Sequence, residues 1–548
     1  MERHLKKLLC IVLVMFLLVG CAPTSPSNSG YNSIEKVEER LQQYAQLGSS
    51  PDDNYRTYYE IFVYSFCDSD GDGIGDLQGV ISKLDYLKDL GINGIWLMPI
   101  HPSTSYHKYN VDDYYAIDPK YGTMEDFDAL MAACNERGIK VILDLVVNHC
   151  GYNNPWFQEA VAYLQEIDPW ETPNPEDCKY VGYFNITTDM KTGYHRVPNT
   201  PFYYEGQFSS DMPDLNWDSE EMKADVKAVM EFWLGKGVGG FRVDAAKEFY
   251  SGSVNRNIEV MSWLQETATS IKPDVYMVAE VWEYAFTTIG NYYKSGFTSI
   301  FNYAYGNNNG KLCQTLNSRG VEAMASDWAV EMEKITNHYA KKNPDYIDAP
   351  FLSNHDVGRI YGFVSGDPLR VKMAGAMNIF MSGSVFIYYG EELGMPGSGN
   401  DPSKRAPMYW NAERNNGTTN LPPECTLPDE GYPLGSYEEQ KNDGNSVYNY
   451  YREAIAIRNA IPAISHGKVT VETALNVGCV SAMRKTWNDQ ECIILMNIDH
   501  EAAPTVDLSA YSDWKMVAGL SANDENIVLD GSSLSLPAYG IVVLVPNN

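Results

Sequence analysis

The stretch GIKVILDLVVNH, residues 138–149, is an apolar and β-branched run that ends in polar residues. A run without polar alternation predicts a parallel strand that is buried between helices. Seven similar runs occur along the chain: YEIFVYSF from Tyr59, GINGIWLMPI from Gly91, GVGGFRVDAA from Gly237, VYMVAEVW from Val275, FTSIFNYAY from Phe297, YIDAPFLSNHD from Tyr346 and GSVFIYYGEELG from Gly383. Stretches long enough for a helix separate them, so the sequence predicts an α/β fold, a (β/α)8 TIM barrel.

The gap between strands three and four is too long for a single crossover helix. Residues 151–216 within it are rich in Pro, Tyr, Asn and Asp, which predicts an inserted subdomain after strand three. The barrel would then consist of residues 51–150 and 217–463. The segments from Asp76 (DLQGVISKLDYLKDLG) and Thr123 (TMEDFDALMAACNERG) each predict one helix that ends at a glycine.

Beyond a last predicted helix from Asn445, the pattern changes from helical spacing to strict alternation. The alternating runs are KVTVETAL, CVSAMRKTW, ECIILMNID and IVLDGSSLSLPAYGIVVLV. They predict a C-terminal antiparallel β-sandwich domain over residues 464–548. We interpret this domain as a packing partner for the barrel, and a ligand-binding role is the alternative.

The N-terminus, MERHLKKLLCIVLVMFLLVGC, places basic residues ahead of an apolar run, as in a secretory signal. The run is short for a membrane span of about 20 residues. Leu18-Val19-Gly20-Cys21 resembles a bacterial lipobox, which implies that residues 1–21 are a lipoprotein signal that is cleaved before Cys21, and that the acylated Cys21 becomes the mature N-terminus. We therefore expect an extracellular lipoprotein anchored to the cell membrane at Cys21, with free secretion as the alternative. Residues 22–50 would form a tether and a short helix.

Composition excludes one class of partner. The net charge of −31 would repel a phosphate backbone, so nucleic acid is not an expected ligand. The 39 Tyr and 11 Trp could stack on sugar rings, although most of them must pack in the core. Eight cysteines after Cys21 lack the CxxC spacing of a zinc site, and their spacing leaves disulfide pairing open. We expect a monomer.

Polar residues end four of the predicted strands. Strand three ends in Asp144 to His149, strand four in Arg242-Val-Asp244, strand five in Glu280, and strand seven in Asn354-His355-Asp356. In β/α barrels these strand ends form the active site.

One Asp beside an Arg is more often a structural ion pair than a catalytic group. Burying several carboxylates at one rim is costly, however, which argues for chemistry there. Glycoside hydrolysis needs such a set, with a nucleophile and a protonated acid about 5 Å apart when configuration is retained.

The motifs DLVVNH, GFRVDAAKE, EVW and FLSNHD, in this order, resemble the four signature regions of glycoside hydrolase family 13, the α-amylase family. The resemblance implies that Asp244 is the nucleophile, Glu280 the general acid and base, and Asp356 the transition-state stabiliser. Arg242 would keep Asp244 ionised. We expect neighbouring carboxylates to raise the pKa of Glu280.

The same resemblance implies a substrate-binding set. His149 and His355 would bind sugar hydroxyls before the scissile bond, with Tyr109 stacking on that sugar. Lys247 resembles the lysine that α-amylases use beyond the cleavage point.

Asp68-Ser-Asp70-Gly-Asp72-Gly-Ile74-Gly-Asp76 alternates oxygen ligands, but Gly79 stands where an EF-hand requires Glu. It resembles the calcium loop of oligo-1,6-glucosidase-like family members, which implies Ca2+ bound by the four Asp side chains and the Ile74 carbonyl. An acidic turn without metal is the alternative.

A second calcium ion would use Asn148 and Asp214. The family often has Lys-His where this chain has Lys247-Glu248, which leaves that second site open.

MPDLN from Met212 resembles a fifth signature that is intermediate between the oligo-1,6-glucosidase and neopullulanase groups. Ala245 stands where α-1,6-acting enzymes tend to carry Val, which favours α-1,4 glucans. We expect a retaining hydrolase that cleaves internal α-1,4 bonds of starch and α-glucan oligosaccharides. The alternatives are an exo-acting α-glucosidase, an oligo-1,6-glucosidase, a glucanotransferase or a non-catalytic starch-binding surface protein.

Overall fold

The computed structural model describes residues 30–318, 321–428 and 431–547. The predicted signal, Cys21 and most of the tether lie outside these ranges. Within them, no helix is long and apolar enough to cross a membrane. No disulfide forms among the described cysteines.

Short strands recur along the whole described chain. Numbered in chain order, they are β1 Thr57–Ile61, β2 Gly94–Leu97, β3 Lys140–Leu145, β4 Ile186–Thr187, β5 Tyr194–Arg196, β6 Tyr203–Glu205, β7 Gly240–Val243, β8 Tyr276–Ala279, β9 Ser299–Ile300, β10 Val385–Tyr388, β11 Lys468–Val471, β12 Val480–Trp487, β13 Gln490–Asn497, β14 Thr505–Asp507, β15 Trp514–Ser521, β16 Val528–Asp530, β17 Ser533–Ser535 and β18 Gly540–Pro546.

Helices separate most of the barrel strands. They are α1 Ile34–Tyr44, α2 Val63–Phe66, α3 Leu77–Ser82, α4 Leu84–Leu90, α5 Met124–Glu136, α6 Pro155–Glu166, α7 Glu220–Gly235, α8 Val254–Ile271, α9 Phe286–Tyr292, α10 Lys311–Asn317, α11 Val321–Ala340, α12 Ile360–Phe363, α13 Pro368–Ile379, α14 Asp401–Lys404, α15 Tyr437–Gln440, α16 Val447–Ala460 and α17 Pro462–His466. In the described part of the chain, 3-10 helices cover Lys179–Tyr183, Tyr293–Ser295, Glu391–Leu393 and Ser509–Tyr511.

The predicted β/α barrel is confirmed. Seven parallel strands form one sheet in the order β10-β1-β2-β3-β7-β8-β9. The predicted seventh strand, from Tyr346, is not a regular strand. It joins the two sheet edges through single parallel bridges, Phe301 with Ala349 and Phe351 with Phe386. Pro350 lies between the two bridging residues and has no N–H to donate, so the ladder cannot continue there.

The first predicted crossover helix is also divided. The segment from Asp76 forms α3 and α4 with a break at Lys83, where φ is −107° and ψ is 7°. Its end agrees with the prediction, because Gly91 adopts φ 92° as the cap of α4. The helix predicted from Thr123 is α5, and a capping box between Thr123 and Asp126 starts it.

The segment between β3 and α7 holds α6 and a small antiparallel sheet of order β4-β6-β5. A bridge between His149 and Asp214 brings the two ends of this segment together, and a second bridge joins Phe184, in its middle, to Leu215. This region therefore leaves and re-enters the barrel at the end of β3, beside the predicted active site.

The predicted C-terminal antiparallel β domain is confirmed as a five-stranded sheet, β11-β12-β13-β18-β15, and a three-stranded sheet, β14-β17-β16. Alternation along β13 buries both faces of the larger sheet. Ile493 and Leu495 pack in a core with the smaller sheet, whereas Cys492, Ile494 and Met496 join the core of the barrel. The domain is thus docked on the barrel through one apolar sheet face.

Candidate active site

Three carboxylates surround one buried guanidinium at the carboxyl ends of the barrel strands. Arg242 on β7 is 1% exposed and is the register partner of Asp144 on β3. Its Nη1 lies 2.8 Å from Asp144 Oδ1 and 2.6 Å from Asp244 Oδ1, and its Nη2 lies 2.9 Å from Glu280 Oε2. Asp244 and Glu280, predicted from separate motifs, therefore meet on the two terminal nitrogens of one side chain.

The Glu280 carboxyl group has donors on both of its oxygens. Oε2 accepts from Arg242 and from the Ala245 N–H at 3.0 Å, and Ala245 takes a left-handed φ of 45° to present that N–H. Oε1 accepts from the Tyr303 hydroxyl at 3.2 Å. Burial raises the pKa of Glu280, Arg242 opposes the rise, and Asp244 adds to it. The direction agrees with the sequence-based expectation, but burial rather than the neighbouring carboxylates is the main cause.

Burial also raises the pKa of Asp244, and Arg242 is the strongest opposing influence. The expectation that Arg242 keeps Asp244 ionised therefore omitted the desolvation of this carboxylate, which acts in the opposite direction. Burial raises the pKa of Asp144 to about 7, again against Arg242. One guanidinium cannot compensate three buried negative charges, so the cluster favours at least one protonated carboxyl group near neutral pH.

Asp356 lies in a different electrostatic setting. Its Oδ2 is 2.9 Å from His355 Nε2, and its Oδ1 is 2.9 Å from Arg405 Nη2. These two cations hold the pKa of Asp356 well below its usual range in spite of burial. Its side chain is 24% exposed, so a charged carboxylate faces the cleft.

His355 is buried between two carboxylates. Its Nδ1 is 2.6 Å from Glu60 Oε1, opposite the contact of Nε2 with Asp356. Desolvation lowers the pKa of His355, but Asp356 and Glu60 outweigh it and raise the pKa to about 9. Because both ring nitrogens already have protein partners, the expected bond from His355 to a sugar hydroxyl remains a prediction.

This raised pKa predicts a pH-dependent contribution to stability. Charged His355 should stabilise the fold fully below the unfolded value of 6.5, and the contribution should be lost as pH rises through about 9. We expect the melting temperature advantage of the wild type over His355→Gln to shrink between pH 7 and about 9. His149→Gln is the matched control, because burial lowers the pKa of His149 to about 4. The melting temperature difference between the wild type and this control should therefore stay constant over the same pH range. A constant melting temperature difference between the wild type and His355→Gln would contradict the raised pKa of His355.

The carboxylates open into a cleft of about 640 Å3. Tyr109, His149 and Lys247 line it, and their predicted role in substrate binding stays a prediction. The Tyr109 ring stacks on His355 at 5.3 Å, and its hydroxyl donates to Asp144 at 3.0 Å. The Lys247 side chain is half-buried on the cleft wall, and its Nζ lies 3.3 Å from Glu283 Oε1.

Several residues of the site were missed by sequence reasoning. Arg405 follows strand eight without a recognisable motif, and Tyr303 and Glu60 appeared to be ordinary strand residues. Phe208, which is 53% exposed, and Trp282 line the cleft. Trp282 stands within the EVW motif, two residues after Glu280, and that position was the only available signal.

The acidic loop after β1 brings together three of its four aspartates. Carboxylate oxygens of Asp68, Asp70 and Asp76 lie within 4.8 Å of one another. Asp72 is not part of this group, and its Oδ1 accepts from the Ile74 N–H. Convergent carboxylate oxygens are the ligands that Ca2+ prefers, so the donor set fits a calcium ion.

Asn148 and Asp214 are brought together by the entry to the inserted region. The Leu215 N–H donates to the Asn148 carbonyl at 2.9 Å, and each of the two side chains has a buried oxygen without a hydrogen-bond donor among the described residues. Burial raises the pKa of Asp214 to about 7. Unpaired buried oxygens are compatible with a cation ligand set at this second position.

The geometry has counterparts in known proteins. The family model for the α-amylase catalytic domain matches residues 60–467. Alpha-amylase 3 of Dictyoglomus thermophilum is 40% identical over 418 residues, which cover 75% of this chain and 78% of that protein. Probable oligo-1,6-glucosidase 2 of Bacillus subtilis is 29% identical over 484 residues, which cover 75% and 84%. The structure of Eubacterium rectale Amy13B has a TM-score of 0.88 and 39% identity, and the match covers 92% of this chain and 98% of that chain.

Proposed function

Because the chain belongs to the α-amylase family of glycoside hydrolases, we propose that it hydrolyses internal α-1,4-glucosidic bonds of starch and malto-oligosaccharides with retention of configuration. The observation that carries this proposal is the pairing of Asp244 and Glu280 on opposite nitrogens of Arg242, inside an open cleft. This pairing is compatible with the separation of about 5 Å that retaining enzymes need.

In the first step, Asp244 Oδ attacks the anomeric carbon while Glu280 donates its proton to the departing glycosidic oxygen. The C–O bond to the leaving sugar breaks, and a glucosyl ester on Asp244 forms. Burial of Glu280 supports this role, because a raised pKa keeps a proton available. Asp356, which Arg405 and His355 hold ionised, would stabilise the positive charge that develops on the sugar ring.

In the second step, the Glu280 carboxylate accepts a proton from a water molecule. The resulting hydroxyl attacks the anomeric carbon and releases Asp244 as a carboxylate. The product keeps the α configuration, and Glu280 ends the cycle protonated again. An acceptor sugar hydroxyl in place of water would give transfer rather than hydrolysis.

The product profile tests the proposal. The protein without residues 1–21 would be incubated with soluble starch, maltotriose, pullulan and isomaltose. Rapid loss of starch chain length with mixed malto-oligosaccharides supports endo attack on α-1,4 bonds. Glucose released mainly from short or α-1,6-linked substrates would contradict endo attack and identify an exo-acting glucosidase. Binding of starch without turnover would identify a starch-binding surface protein.

We also propose that the acidic loop binds Ca2+ through Asp68, Asp70 and Asp76. The ion would supply positive charge that ties the loop after β1 together, away from the reacting bond. In the described structure, Asp76 also caps α3 by accepting the Gly79 N–H at 2.7 Å. Binding there would thus stabilise the start of a barrel helix.

Calcium should raise the melting temperature of the wild type. At a free calcium concentration of 100 times the dissociation constant, the added stability is about 2.7 kcal/mol. Substituting Asp68 and Asp70 together by Asn should abolish this rise, as measured by scanning calorimetry with Ca2+ and with chelator. Asp507→Asn, at the exposed end of β14 in the C-terminal domain, is the matched control. An undiminished calcium response in the double variant would refute the site.

The signal-like N-terminus and the lipobox-like stretch before Cys21 support a location at the cell surface. We propose that Cys21 carries the lipid that anchors the enzyme at the outer face of the cell membrane, where polymeric starch is accessible. Palmitate labelling of the wild type but not of Cys21→Ser would support this, and equal labelling would contradict it.

A further inference from the structure

Tyr303 lies just after β9, is fully buried, and contacts the proposed acid. Its hydroxyl donates to Glu280 Oε1 at 3.2 Å and accepts from Asn354 Nδ2 at 3.4 Å. The orientation of the Asn354 amide is fixed, because its Oδ1 accepts the N–H groups of Asp356 and Val357, each at 2.9 Å. Asn354 therefore donates to Tyr303, and Glu280 Oε1 is the acceptor that the described residues offer to the Tyr303 hydrogen.

This direction decides where the Glu280 proton can reside. Oε2 already accepts from the Arg242 guanidinium and the Ala245 N–H, so Oε1 is the better place for a proton. Tyr303 occupies one lone pair of Oε1 as a donor. A proton on Oε1 must then point away from Tyr303, and the cleft, which Glu280 lines, is the open direction.

The ring of Tyr303 is held from two sides. Trp282 stacks on it at 5.3 Å with an angle of 17°, and Phe351 meets it edge-on at 4.9 Å. The Trp282 Nε1 donates to the Tyr284 hydroxyl at 3.0 Å, and Trp282 also lines the cleft. Packing on two sides therefore holds the Tyr303 hydroxyl in place beside Glu280.

We propose that Tyr303 is a positioning residue for the acid, which directs the Glu280 proton toward the glycosidic oxygen. The inference rests on the proposed function. It predicts a defect confined to leaving groups that need protonation, because only their departure depends on the direction of that proton.

The test compares two substrates in Tyr303→Phe, which keeps the ring stacked on Trp282. On maltopentaose, kcat should fall about tenfold with KM within about twofold of the wild type. On an aryl α-maltoside with a strongly acidic phenol as leaving group, kcat/KM should stay within about twofold, because this ratio reports only the steps up to departure of the phenol. Tyr305→Phe is the matched control, because Tyr305 is equally buried and its hydroxyl has no hydrogen-bond partner among the described residues.

A second variant covers the case in which Tyr303→Phe does not fold. Asn354→Asp keeps the acceptor for the two backbone N–H groups but turns the donor to Tyr303 into an acceptor. It should draw the Tyr303 hydrogen away from Glu280 and give the same selective loss on maltopentaose.

An equal loss on both substrates, or no loss on either, would overturn the positioning role. A wild-type enzyme that hydrolysed neither substrate would overturn the proposed function itself, and this inference with it.

Discussion

Replacing Asp244 by Asn is expected to lower kcat on maltopentaose about 10^4-fold. An amide cannot form the glucosyl ester, whereas it keeps the size of the carboxylate and one acceptor for Arg242, which lies 2.6 Å away. Binding of maltopentaose, measured by calorimetry, should change little, because the substitution removes a bond that forms only during reaction.

Asp348→Asn is the control for this experiment. Asp348 is also a buried carboxylate of the barrel, but it binds the Asn302 side chain and does not line the cleft. Its variant should keep near wild-type kcat. If Asp244→Asn retained more than about a tenth of the wild-type kcat, Asp244 would not be the nucleophile.

Substituting Arg242 by Met should destabilise the protein by about 3–5 kcal/mol at neutral pH. The change removes the only cation that contacts Asp144, Asp244 and Glu280 among their described ion pairs. Each of these carboxyl groups would then have a folded-state pKa even further above its unfolded value. Urea denaturation at two pH values measures the effect.

The sign of the pH dependence follows from proton binding. A folded state with raised carboxyl pKa values binds more protons than the unfolded state, so its stability falls as pH rises. The loss caused by Arg242→Met should therefore be smaller at about pH 5 than at about pH 7.5.

Arg458 offers a matched comparison. It is equally buried, but its guanidinium donates to backbone carbonyls, among them those of Ile379 and Met381, both within 2.9 Å. Arg458→Met should also destabilise the protein, but its stability loss should be the same at acid and at neutral pH. A pH-independent loss for Arg242→Met would show that its charge does not control the three carboxyl groups.

Asp244→Asn tests the reaction at the strand ends, whereas Arg242→Met tests the charge balance of the same carboxyl groups. Asp244 and Glu280 follow directly after neighbouring strands β7 and β8, and the Glu280 N–H donates to the Val243 carbonyl at 2.9 Å. Parallel pairing thus places the reacting carboxyl groups at one level of the barrel. Arg242, which lies inside β7, then sets the charge balance of both groups.

Local signals in the sequence determined most of the fold. Apolar runs predicted the barrel strands, because a strand buried on both faces must be apolar at nearly every position. Polar residues directly after those runs predicted Asp244, Glu280 and Asp356, because the ends of parallel strands meet at one rim. The alternation of the last segments likewise predicted the C-terminal sheets.

Only the tertiary structure decided what surrounds those carboxylates. Glu60 and His355 are 295 residues apart in sequence, and Arg405 follows Asp356 by 49, yet both pairs are in contact. Such contacts arise from closure of the barrel, which no local pattern encodes. The main cause of the raised pKa of Glu280 is burial, and burial depends on every element packed around the cleft. The sequence thus determined which residues stand at the strand ends, whereas packing determined their charge and their partners.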